Sequence, residues 1–157
     1  MFAVVMDRFI EENGVDDEVW MLVFVDCLDN YYDEPSMVPT DADSDPDSPF
    51  LNKSPEECFK LLHQLRKDTE SEISTDLFAI VDERSAQDDT VLLVVAGSND
   101  AISETEGWEM KTLRVTFQAS GQAMVLYMTG HSSMDEDREL AEREEDGVYR
   151  GLWSTHR

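Results

Sequence analysis

Three aspartates follow apolar runs in this chain: Asp7 after Phe2-Ala3-Val4-Val5-Met6, Asp26 after Val19-Trp20-Met21-Leu22-Val23-Phe24-Val25, and Asp82 after Leu77-Phe78-Ala79-Ile80-Val81. If the runs are strands lying parallel in one sheet, the carboxylates gather at its carboxyl edge, where open α/β sheets bind ligands. Hard oxygen donors at that edge suit a divalent cation such as Mg²⁺, and with it a small metal-dependent or phosphate-handling activity. The plainer role for each aspartate is to cap the turn or helix that follows its run, which a short acceptor side chain does well.

Other chemistry-bearing residues point away from catalysis. The loop Asp41-Ala42-Asp43-Ser44-Asp45-Pro46-Asp47 opens like a calcium site, but Pro46 stands where an EF-hand loop needs glycine and Asn52 where it needs a bidentate glutamate. His63, His131 and His156 have neither zinc spacing nor a nucleophile within the same motif. Cys27 sits in an apolar run and Cys58 on a helix stripe, the ordinary setting of a small buried hydrophobe. Nucleophile-elbow, Walker and dinucleotide motifs are absent from the sequence. The sequence therefore leans away from an enzyme.

Charge points elsewhere. With 36 acidic and 12 basic residues, the chain carries a formal −24. A field of that sign repels nucleic-acid backbones and anionic membranes, and it attracts basic proteins. Solubility alone, or a saline environment, accounts for such acidity as well; if the charge selects a partner, the expected class is a basic protein. No apolar run approaches the ~20 residues that span a bilayer, and Asp7 interrupts the first run too early for a secretory leader, so the chain reads as soluble and cytoplasmic.

The elements that must position these residues are read from periodicity. Val91-Leu92-Leu93-Val94-Val95, β-branched and bounded by turn residues, suits a strand covered on both faces. Leu77–Val81 suits a second central strand, and Leu113, Val115 and Phe117 alternate as in an edge strand. Further strands are expected at Phe2–Met6, Val19–Val25 and Met124–Met128, with Gln118–Gln122 as a turn. Ser54-Pro55-Glu56-Glu57 opens a helix with Cys58, Leu61, Leu62 and Leu65 on one stripe. Ser133-Met134-Asp135-Glu136 opens an acidic helix that ends at Gly147. Residues 33–52, rich in Asp, Ser and Pro, form a mobile acidic loop. The whole predicts one α/β domain over residues 1–157, a mixed and mostly buried sheet of five or six strands flanked by helices.

Three stretches carry a resemblance: Leu77–Arg84 with Val91–Val95, then Leu113-Arg114-Val115, then Met134-Asp135-Glu136 through Asp146-Gly147-Val148-Tyr149-Arg150-Gly151. Together they resemble a family of small, acidic, single-domain proteins of unknown function, mainly actinobacterial. The closing Asp-Gly-Val-(Phe/Tyr)-Arg-Gly signature is its most specific part. An asparagine-rich strand precedes the last helix in that family, and Gln122–Gly130 here lacks those asparagines. The resemblance implies an α/β fold and supplies no activity. In its closing segment, Gly147 can stop a helix, Val148 and Tyr149 can fold back on the sheet, and Arg150 can pair with a carboxylate. Alternatively, Tyr149, Arg150 and Trp153 form an exposed protein-contact patch, since Tyr, Arg and Trp dominate binding hot spots.

Overall fold

A computed structural model of the chain describes residues 2–13, 22–23, 25, 28, 31–33, 49–98 and 108–151. In order, the elements are α1 (Phe2–Glu12), α2 (Pro55–Thr69), β1 (Leu77–Ile80), α3 (Glu83–Asp88), β2 (Thr90–Ser98), β3 (Trp108–Thr116), α4 (Phe117–Thr129) and α5 (Met134–Ala141). The described strands form one sheet of three in the order β1-β2-β3, antiparallel throughout. This replaces the expected mixed sheet of five or six strands.

Two of the expected strands are helices. Phe2–Met6 belongs to α1, in which Val5 and Phe9, four residues apart, face the core. Met124–Met128 and the expected turn before it belong to α4. Both runs are short and apolar, and such runs have no period that separates strand from buried helix. Of Val19–Val25 only residues 22, 23 and 25 are described, and none is in a strand. Most of the expected acidic loop, residues 34–48, lies outside the described residues.

The central strand β2 is buried on both sides, as its composition predicts. Val91 and Leu93 join Leu113 and Val115 of β3 in a core closed by Val5 and Phe9 of α1, Phe117, Ala123 and Met124 of α4, and Met134 and Ala141 of α5. Val94 and Ala96 point the other way and are also buried. On that side lies α2, whose Cys58, Phe59, Leu62 and Leu65 are buried. Phe59 replaces Leu61 in the expected stripe. Cys58 is a free, buried cysteine.

Caps set the helix boundaries. Ser54 accepts from Glu57 N at 3.2 Å with Pro55 in the first turn, as the sequence predicts. Thr116 ends β3 and caps α4 in one step, accepting from Ala119 N at 3.3 Å. Gly130 takes the left-handed conformation (φ 76°) and donates to Leu126 and Tyr127 carbonyls, so it stops a helix rather than a strand. Gly121, inside α4, is buried and donates its N–H to the Asn13 carbonyl at 2.9 Å, which brings the end of α1 close against α4.

Candidate protein-interaction surface

The six residues of the closing signature each have a place. Gly147 (φ 70°) and Gly151 (φ 97°) hold left-handed turns at either end. Between them, Tyr149 N donates to the Arg114 carbonyl at 2.9 Å and Thr116 N donates to the Tyr149 carbonyl at 3.1 Å, a parallel bridge on the outer edge of β3. Val148 is fully buried. Asp146 accepts from Val148 N at 3.1 Å and from both Arg150 guanidinium nitrogens at 2.9 and 2.6 Å. That two-pronged bond holds the Asp146 carboxyl well below the usual carboxylate range, with Val148 N adding to it. The segment is a strap closing the sheet edge.

Of the expected contact patch, Tyr149 is 5 % exposed and belongs to the core, whereas Arg150 is half-exposed and engaged by Asp146 and Glu144. Trp153 lies outside the described residues.

Beneath the strap, Asp137 is 2 % exposed, and it is the one Asp, Glu, Lys, Arg or His side chain in the buried class among the described residues. It accepts a short hydrogen bond from the Tyr127 hydroxyl of α4, with the Tyr149 hydroxyl as a second donor. Burial pushes its carboxyl up, and the two hydroxyls offset only part of that. The neighbouring cation turns away: Arg138 donates to the Thr112 carbonyl at 2.6 Å. Asp137 thus ties α4, α5 and the strap together through neutral donors. Its position was readable, because Met134, Asp137 and Ala141 fall at i, i+3 and i+7 on the inward stripe of α5.

The other side of α5 is acidic and wet. Asp135, Glu136, Glu139 and Glu142 are exposed, followed by Glu145 and Asp146. Asp135 pairs with Lys111 at 2.6 Å and Glu136 receives the Ser132 hydroxyl at 3.4 Å. Among the described residues Glu139, Glu142 and Glu145 make no ion pair, so this face keeps most of its charge.

The aspartates proposed for a cation are not assembled as strand ends of a parallel sheet. Asp7 stands in the middle of α1, Asp26 lies outside the described residues, and Asp82 caps α3. Asp82 accepts from Ser85 N at 3.1 Å while Ser85 Oγ accepts from Asp82 N at 3.0 Å. Both its oxygens also receive Arg114, at 2.9 and 2.7 Å across β2. Burial raises the Asp82 carboxyl, but Arg114 and Ser85 outweigh it and hold the group below its ordinary range. Among the described residues no three His, Cys, Asp or Glu side chains stand close enough to hold a metal ion. Nor is any described helix long and apolar enough to cross a membrane.

Compared with family models, with curated proteins and with solved structures, the chain matches none.

Proposed function

We propose that this chain is a non-catalytic acidic binding protein, an accessory or inhibitory partner of a basic protein. The observation that carries the reading is the outward face of α5 and the turn after it, where Glu139, Glu142 and Glu145 are exposed and make no ion pair among the described residues, beside the strap bridged to β3. Unpaired like charges on an ordered element cost self-repulsion in the free protein, and a cationic surface relieves it on binding. Complementary charge of this kind speeds encounter and rejects acidic competitors.

The test is capture from a native extract at low ionic strength by the immobilised full chain. Neutralising Glu136, Glu139, Glu142 and Glu145 to Gln is expected to abolish capture of the main partner. Neutralising four exposed acids near α2, Glu56, Glu57, Glu70 and Glu72, removes the same charge and is expected to leave capture largely intact. Equal loss from both variants would reduce the effect to net charge, and unchanged capture by the first would remove α5 from the account.

A further inference from the structure

From Val115 to Met134, twenty consecutive residues contain no Asp, Glu, Lys or Arg, in a chain where 31 % are charged. That run is α4 and its flanks. The inward side of α4 is occupied by Phe117, Ala119, Ser120, Ala123 and Met124. Its outward side carries Gln118, Gln122, Met128 and Thr129, all exposed, with Val125 and Leu126 partly so. Met128 is 60 % exposed, among the most exposed large apolar side chains in the described residues. The outward face is therefore uncharged along its length and apolar toward its end.

The apolar end abuts the acidic face. After the Gly130 cap, a three-residue turn leads into α5, and Ser132 Oγ bonds back to Glu136 at 3.4 Å. Tyr127, one residue before Met128, reaches Asp137 of α5. An uncharged centre containing methionine, bordered by charge, is the composition of a binding surface rather than of a solvated helix face. Methionine also adapts to partners of differing shape. A second copy of the chain fits poorly, because pairing α4 with α4 brings two acidic rims together at −24 per chain.

We propose that the Val125-Leu126-Met128 end of α4 seats the apolar stripe of an amphipathic basic segment, whose Lys or Arg side chains lie over the carboxylates of α5. The inference rests on the binding role proposed above and names the surface and the partner's chemistry: apolar on one side, cationic on the other.

The test uses two synthetic helical peptides of equal length and lysine content, one with leucines on its second face and one with serines there. Each is titrated into the full chain carrying methyl-labelled methionine. The leucine peptide is expected to bind at least about tenfold more tightly than the serine peptide, the effect of burying one or two leucines, and to shift the Met128 methyl resonance. In the Met128→Asp variant that advantage is expected to vanish with only a small drop in melting temperature, since the side chain is exposed and the new carboxylate sits at the unfavourable C-terminal end of α4. Equal affinities of the two peptides, insensitive to Met128→Asp but weakened by the α5 neutralisation, would overturn this surface and leave the acidic binding role standing. Failure of both peptides to bind would overturn both. Self-association in sedimentation that Met128→Asp abolishes would assign the face to a second copy and overturn the inference.

Discussion

Phe117→Ala is expected to destabilise the protein by about 3–5 kcal/mol, the usual range for removing a fully buried aromatic ring. Phe117 is 1 % exposed, and its ring centroid lies 5.3 Å from that of Phe9 in a tilted pair. It is also the first residue of α4, and its N–H donates to the Asp89 carbonyl at 2.8 Å. The ring therefore fills the junction of α1, α4 and the sheet, where neighbours held by backbone bonds can collapse only partly into the cavity. Urea unfolding should show a lower midpoint at an unchanged slope. Met128→Ala on the same helix should shift stability by no more than about 0.5 kcal/mol, because that side chain is exposed. Equal costs for the two would contradict the inward and outward assignment of α4.

Asp137→Ala carries the second large effect. It leaves the Tyr127 and Tyr149 hydroxyls without their buried acceptor, at about 1–3 kcal/mol for each group so stranded. Asp137→Asn should cost far less, since an amide oxygen still accepts a hydroxyl proton and carries no charge to bury. The two variants differ again with pH. Burial raises the folded pKa of Asp137 above the ordinary ~3.9 of an unfolded aspartate. The penalty of its charge is present above that folded pKa and is relieved as pH falls through it. Wild type should therefore gain on Asp137→Asn as pH falls from neutral toward the ordinary carboxylate range. Asp82, Asp88 and Asp146 act in the opposite sense. Their folded pKa values are depressed, so the stability they contribute is present above the ordinary range and is lost only as pH falls below it. The windows do not coincide, and the difference in unfolding free energy between wild type and Asp137→Asn, followed over pH, isolates the first. A difference that stays flat from neutral to mildly acidic pH would contradict the burial of Asp137.

The elements legible in the sequence are those with two independent signals. For α2, Ser54 and Pro55 mark the start and an apolar stripe marks the face. For β2, a β-branched run lies between clusters of turn residues. Where one signal stands alone, the reading divides. Phe2–Met6 looks like a strand until it is joined to Asp7–Glu12, and together they make three helical turns with Val5 and Phe9 aligned. α4 is apolar around most of its circumference and contains Gly121, so neither periodicity nor composition marks it as helical; only Thr116 and Gly130, read as its two caps, do so. Sheet direction was legible in chain length. Residues 81–89 are too few for a parallel crossover, which takes about a dozen or more, so β1 and β2 have to run antiparallel; the expected gathering of strand-end aspartates fails separately, because Phe2–Met6 is helical.

The candidate surface divides the same way. The acidic face of α5 is plain in Asp135–Asp146, and the capping role of Asp82 follows from its place after a strand. The pairing of Asp82 with Arg114 was not legible, because it depends on the register that sets Ile80, Leu92 and Arg114 side by side. Residue type leaves Tyr149 open between folding back on the sheet and joining a contact patch; its backbone bridge to β3 and its hydroxyl bond to Asp137 are of the first kind.

The central claim is that the exposed carboxylates of α5 and the turn after it hold a basic partner. Its most direct test is the affinity of the captured partner for the full chain, measured by calorimetry from low to high NaCl, for wild type and for the variant with Glu136, Glu139, Glu142 and Glu145 changed to Gln. Surface charge pairs weaken as salt shortens the screening length. The account predicts that wild-type affinity falls steeply with NaCl and that the variant is both weaker and flatter. Affinity that ignores salt, or a variant whose salt response matches wild type, would contradict it.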